Sequence, residues 1–331
     1  MLQNSYYRKI FIVFALSLLI LLVFIAFVGP FELFKSLQSF NLFYAVAFLL
    51  VLFSSLSFRA IRWSVLSVSE AQGLQLQTCW LTMHTIAFLA IFLPARIGEI
   101  SRPFLAKKES DIPISITSTI ILGENLLDSF LLLLIAFSLT VLLIHSISLA
   151  TIIPLLILMG FLVFIYFLAF ITFLWIGENV LPRVSVLPER MMALLLKIHR
   201  SVMNAIQILR KNPRGILYSV ILSLLIWAAE LQVIALSYYG LGYSEASYAV
   251  LLMAATVGYL SFLIPPILPQ HLGIYEAAVA SVLLLYGIEI EIIVIVVLMQ
   301  RILRTLYAMV LGGITFFIQG LSISEMLDIT R

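Results

Sequence analysis

The sequence predicts an all-α polytopic membrane protein, with about six full spans and two re-entrant helical hairpins in two halves of inverted topology. Three observations lead there. The 331 residues are 63% hydrophobic and 11% charged, with a mean hydropathy of +1.18, a balance outside the range of soluble globular domains. The apolar runs are long and lack the alternation of a transmembrane barrel, so helices must satisfy the backbone in lipid. Two apolar stretches are also broken by matched motifs 175 residues apart: Leu93-Pro94-Ala95-Arg96-Ile97-Gly98-Glu99 and Leu268-Pro269-Gln270-His271-Leu272-Gly273-Ile274-Tyr275-Glu276.

The first apolar run, about 10–29, follows Arg8 and Lys9. It is too long for a signal-peptide core and lacks a small-residue cleavage site, so it reads as a retained signal-anchor span. Further runs long enough to cross lie at about 41–58, 113–142, 150–176, 216–239 and 290–318. Residues 75–108 and 247–287 are apolar but interrupted, and read as hairpins whose two arms enter and leave on one side.

Lysine and arginine positions support the hairpins. With a cytoplasmic N-terminus, Arg8, Lys9, Arg59, Arg62, Arg102, Lys107, Lys108 and the cations of the 177–214 loop all fall inside, and only Lys35 falls outside. Each half, about 1–145 and 146–320 of a single transmembrane domain 1–331, then crosses three times. An odd number of crossings gives the halves opposite orientation. Residues 188–212 carry apolar positions at helical spacing, with Pro188 suited to a start and Asn212-Pro213 to a stop. This segment reads as a cytoplasmic interfacial helix near anionic lipid, or as a connector packed on helix ends.

Composition excludes much else. The net charge of +3 says little about partners, and nothing in the chain suits nucleic acid. Cys79 is the single cysteine, and four scattered histidines lack ligand spacing, so neither a disulfide nor a metal or cofactor is expected. There is no Gly-rich phosphate loop and no triad pattern.

The informative residues are charges inside apolar sequence: Arg96, Glu99, Glu124, Asp128, Glu230, Glu276, Arg301 and Arg304. Each costs about 3 kcal/mol at a bilayer centre, so they must pair, meet water or line a shared cavity. Glu124 and Asp128 share one helix face, as do Arg301 and Arg304, and the expectation is that these two faces oppose each other. Buried ion pairs that specify helix packing are the competing explanation. At the motif tips, helices starting after Gly98 and Gly273 would point unpaired N–H groups into the membrane, a ready anion site to which Arg96 and His271 add donors, His271 alternatively being a polar tip residue near water. Glu99 and Glu276 would cap those helices or pair with arginine. Glu124, Asp128, Glu99, Glu276 and Glu230 would balance charge or carry coupling protons. Arg59, Arg62 and Arg102 are interface anchors or guides drawing an anionic headgroup inward. The Glu124–Asp128 spacing is also a weak signal for a metal-dependent membrane transferase.

Four segments resemble a known family: Phe58-Arg59-Ala60-Ile61-Arg62-Trp63, Pro94 to Arg102, Gly123-Glu124-Asn125-Leu126-Leu127-Asp128, and Pro269 to Ala278. They are similar to the lysylphosphatidylglycerol synthase transmembrane family, the flippase-like membrane proteins. Gln270 and His271 replace small residues of that pattern, and Gly123-Glu124-Asn125 stands where Glu-Arg is common. The resemblance implies an inner-membrane protein that moves a phosphate-bearing lipid, anionic or polyprenyl-linked, between leaflets. The lysyl-transferase domain of two-domain members is not expected in this chain. A membrane-embedded transferase acting on a polyprenyl-phosphate lipid is the rival, and a non-transporting partner of envelope-biosynthesis proteins is a second.

Overall fold

The computed structural model describes residues 22–67, 73–92, 97–110, 113–143, 212–263 and 271–321, with isolated positions elsewhere. Every regular element among them is helical. Most of the predicted first span, the fourth span (150–176) and most of the 188–212 segment lie outside the described residues, as does Arg96.

A short helix, α1 (Leu22–Val28), turns by 82° at Gly29 into α2 (Pro30–Ser39). Gly29 has φ 90, which suits glycine, and Pro30 opens the new helix where its missing N–H is not needed. Then come α3 (Leu42–Ser67), α4 (Leu76–Phe92), α5 (Ile97–Ser110) and α6 (Ile114–Leu142). After the undescribed stretch follow α7 (Pro213–Glu230), α8 (Gln232–Gly240), α9 (Tyr248–Leu260), α10 (Ile274–Leu285), α11 (Ile290–Tyr307), a π-helical segment (Ala308–Gly312) and α12 (Gly313–Ile318).

Four continuous stretches are long and apolar enough to cross a membrane: Leu42–Ser67, Ile114–Leu142, Pro213–Gly240 and Ile290–Ile318. The bent α1–α2 pair would make a fifth. Three of the four match the predicted runs closely. The exception is α3, which runs on to Ser67 rather than ending near residue 58, so Arg59 and Arg62 sit within the helix and not at its mouth. Asn212-Pro213 has a role beyond the one expected. Asn212 accepts a hydrogen bond from the Gly215 N–H at 2.8 Å and Pro213 is the first residue of α7, so together they start a helix, while the segment they are expected to close lies outside the described residues.

The two interrupted segments form paired short helices. α4 packs on α5 and α9 packs on α10, each pair joined across its Pro/Gly motif. The first arm-to-arm break falls before Ile97, so Gly98 and Glu99 lie in the opening turn of α5. In the second, Gly273 has φ 87 and precedes α10. The pairing is close: a Cβ on Gly258 would come within 2.7 Å of the Tyr275 ring.

Packing between elements repeats with the two parts of the chain exchanged. α3 lies against α7 and α8. α4 packs on α3 and reaches across to the π segment and α12, while α9 packs on α8 and reaches across to α6. α5 packs on α6 as α10 packs on α11. The main core gathers Phe48, Tyr238, Leu251, Val279 and Val296 between these helices, and a smaller cluster holds Trp63, Cys79, Met83 and Ala106. Large apolar side chains such as Phe43, Leu50, Leu217 and Phe317 stay exposed, as lipid-facing positions should.

Candidate functional site

A cavity of about 540 Å³ opens among α3, α4, α5, α6, α7, α9, α10 and α11. Its lining includes Arg59, Arg62, Arg102, Glu124, Asp128, Glu230, His271, Glu276, Arg301 and Arg304, set among Leu52, Leu56, Leu132 and Val297. Residues scattered over the whole chain therefore meet in one place. Burying so many ionisable groups in a membrane fold is tolerable only if each finds a partner.

The first network joins α3, α5 and α6. Arg62, 2% exposed, donates from Nε to Glu124 Oε1 at 3.2 Å and from Nη1 and Nη2 to the two Asp128 oxygens at 2.6 and 2.9 Å. Arg102 reaches Glu124 Oε2 at 2.8 Å and stacks over Trp63 with its guanidinium carbon 4.6 Å from the ring centre. Arg59 stands 3.6 Å from Asp128 Oδ2 and over the Trp227 ring at 5.4 Å.

The second network joins the charged residues of α7, α10 and α11, with Tyr259 of α9 among them. Arg304 donates to Glu230 Oε2 at 2.7 Å and to the Tyr259 hydroxyl, which in turn donates to Glu230. Arg301 donates from Nε to Glu276 Oε1 at 3.0 Å, and the other Glu276 oxygen accepts the Gly273 N–H at 2.6 Å. Glu276 thus both caps α10 and pairs with arginine. Gln300 adds a bond to the Tyr275 hydroxyl at 2.9 Å.

The two networks are the same three-element arrangement with the signs reversed. In the first, the middle span carries arginine and the last span carries carboxylates; in the second, α7 carries the carboxylate and α11 the arginines. They are stitched together reciprocally. Ser55 of α3 donates to Glu230 at 2.7 Å, and Arg62 donates to Ser223 of α7 at 2.6 Å. Each serine stands two helical turns before the charged residue of its own helix, Ser55 before Arg62 and Ser223 before Glu230. Trp227 of α7 donates to Asp128 at 3.2 Å.

Two sequence expectations are corrected here. Glu124 and Asp128 line the same cavity as Arg301 and Arg304 but do not pair with them; they pair with Arg62 of α3 and Arg102 of α5, which pack beside that part of α6. Arg62 is not an interface anchor, because α3 continues beyond it and its side chain is enclosed. What Glu124 and Asp128 hold between them is a guanidinium. Among the described residues there is no group of three or more His, Cys, Asp or Glu placed to bind a metal.

His271, 4% exposed with φ 53, stacks on Phe262 at 4.2 Å and lines the cavity. Gly98 and Glu99 open α5, while the side chains of residues 92–100 and all of Arg96 lie outside the described residues. Sequence reasoning missed Ser55, Ser223, Trp227 and Tyr259. The hydroxyl and ring groups of a membrane helix give no local signal; only their spacing to Arg62 and Glu230 could have pointed to them.

The family described as "Lysylphosphatidylglycerol synthase TM region" matches residues 10–313. No curated protein and no solved structure matches the chain.

Proposed function

This chain belongs to the lysylphosphatidylglycerol synthase transmembrane region family, and from that premise we propose that it carries a phosphate-bearing lipid headgroup between leaflets of the cytoplasmic membrane. Membership and the apolar helices make it a multi-pass membrane protein related to lipid modification or handling. The observation that carries the finer reading is the cavity: fully paired charges and an apolar wall combined in a single space at the seam between two similarly packed sets of helices. A headgroup needs polar contacts to leave water, and apolar walls let its tails remain in lipid.

In this reading the repeated packing reflects two halves of inverted topology, with the N-terminus cytoplasmic and the α4–α5 and α9–α10 pairs as re-entrant hairpins from opposite faces. The α10 end near Gly273 and the guanidinium groups of Arg301 and Arg304 supply the anion contacts, with Arg96, which precedes α5 in the sequence, as the expected counterpart. Rocking of one set against the other, with the serine stitches exchanged, would expose the cavity alternately to the two sides.

The test is leaflet exchange of fluorescent phospholipids and polyprenyl phosphates in proteoliposomes, read by chemical quenching of the outer leaflet. Vesicles containing the protein should equilibrate at least one such lipid faster than empty vesicles, and Arg301→Ala with Arg96→Ala should slow it. Exchange no faster than in empty vesicles for every phosphate-bearing lipid sinks the proposal. Release of a chemically modified lipid would favour a transferase instead.

A further inference from the structure

We propose that α2 lies flat in the membrane surface at the face where α3 begins, and that Phe31 and Phe34 are the side chains that enter the lipid. This surface is separate from the cavity, and its occupant is independent of the headgroup the cavity takes.

The path of the chain sets α2 at one face of the fold. α1 ends at Gly29, where the axis turns by 82°, so α2 leaves nearly at right angles to the helix before it. Ten residues later the chain turns again and α3 runs back into the fold. The end of α2 is pinned level with the end of α8. The Asn41 N–H donates to the Gly240 carbonyl at 2.9 Å, and the Phe40 ring lies so close that a Cβ on Gly240 would come within 2.4 Å of it. Tyrosines gather at the same level. Tyr44, in the first turn of α3, stands 6.4 Å from Tyr239 near the end of α8, with Tyr243 in the loop beyond and an exposed Tyr248 opening α9. Rings with a polar tip sit where lipid meets water, so this cluster puts α2 at that boundary.

The sequence of α2 then decides how it sits there. At about 100° per residue, Pro30, Phe31, Leu33, Phe34 and Leu37 fill one arc of the helix, and Glu32, Lys35, Ser36 and Ser39 fill the opposite one, with Gln38 at the margin. Within the apolar arc Leu33 is buried against the protein, whereas Phe31 and Phe34 are 75% and 57% exposed. The two rings do not form an isolated patch. Val23 and Phe27 carry the same exposed surface along α1, and Leu42 and Phe43 carry it along α3. Lipid against both flanking spans therefore reaches Phe31 and Phe34 without a break. The polar arc faces the other way, and its exposed Glu32 and Lys35 need water. A helix with one face in each medium lies along the boundary rather than through it.

The experiment is site-directed spin labelling of the full chain in vesicles of phosphatidylcholine and phosphatidylglycerol. Nitroxides are attached to Phe31→Cys, Glu32→Cys, Phe34→Cys, Lys35→Cys and Ser39→Cys, one at a time. The native Cys79 is 0% exposed and escapes the label while the fold is intact, so a second label marks an unfolded variant. Collisions with oxygen, which concentrates in lipid, are compared with collisions with a water-soluble nickel chelate. Oxygen should dominate at Phe31→Cys and Phe34→Cys, at a depth within about 10 Å of the phosphate level. Nickel should dominate at Glu32→Cys, Lys35→Cys and Ser39→Cys. A segment that crosses the membrane would instead change depth steadily, by about 1.5 Å per residue, and such a gradient from position 31 to 39 overturns the assignment. Nickel access at Phe31→Cys and Phe34→Cys equal to that at Lys35→Cys places the rings in water and overturns it as well. Labels there that are immobilised and shielded from both reagents mean that a protein, a second copy or another chain, covers the face, and the lipid assignment falls.

Discussion

Replacing Asp128 with asparagine should destabilise the fold far more than replacing Arg62 with methionine, although the two residues form the same ion pair. In the first network three guanidinium groups, those of Arg59, Arg62 and Arg102, share two carboxylates. Asp128→Asn leaves three cations on Glu124 alone, with Arg62 enclosed and deprived of two charge-assisted bonds. Uncompensated buried charge of this kind costs about 3–5 kcal/mol. Arg62→Met instead leaves two cations facing two carboxylates. Arg59, already 3.6 Å from Asp128, needs only a small swing to close on it, so the cost falls to about 1–3 kcal/mol for the bonds not regained. The double variant should be more stable than Asp128→Asn alone, because it removes the stranded cation. The assay is reversible unfolding in mixed micelles of mild and denaturing detergent, with maleimide reaction of Cys79, 0% exposed in the folded state, as reporter. The two single variants should differ in folding constant by roughly tenfold or more. If Arg62→Met is the costlier, or if the double variant shows the sum of the single effects, the reasoning from charge balance fails.

Other perturbations test different links. Gly312→Ala places a Cβ 2.6 Å from the His84 carbonyl oxygen and 2.9 Å from the Phe88 Cβ, so α4 and the π segment must separate; a loss of about 1–3 kcal/mol in the same unfolding assay is expected. Gly273→Ala meets no atom within 4 Å, yet φ 87 is unfavourable for alanine, so a cost of about 1–3 kcal/mol should come from the backbone alone. In the loop after α8, the Glu245 carboxyl is held below its usual 4.5, first by the Tyr238 hydroxyl that donates to it at 2.7 Å. A depressed value means the contribution is present above the ordinary carboxylate range and is lost as pH falls through the lowered one. The Ala246 N–H, which donates to the Tyr238 oxygen at 3.2 Å, should lose hydrogen-exchange protection over that acid window, and Glu245→Gln should abolish the pH dependence.

Much of the architecture was legible because lipid imposes strict rules on sequence. Ile114–Leu142, Pro213–Gly240 and Ile290–Ile318 were found by apolar length, and the short α4–α5 and α9–α10 pairs by their Pro/Gly breaks. The cost of burying charge also foretold that Glu124, Asp128, Glu230, Glu276, Arg301 and Arg304 would gather. Partner choice was not legible. Arg62 finds Glu124 and Asp128, and Arg304 finds Glu230, through helix contacts that no local spacing encodes. Arg59 and Arg62 misled for a related reason: cations near the end of an apolar run look like interface anchors unless the helix is known to continue.

The reversal of sign between the two networks bears on how such a chain could be cut and reassembled. Arg59 of α3 lies over Trp227 of α7, and each stands one turn before the charged residue of its own helix, Arg62 or Glu230. Two copies of the first part brought together across that seam would set Arg59 against Arg59; two copies of the second would set Trp227 against Trp227 and leave each Glu230 without the Ser55 hydroxyl of α3. Each part is therefore a poor mate for itself and a fitting mate for the other. Expressed as separate polypeptides, the two fragments should recognise one another and reject their own kind, as a lock rejects a second lock.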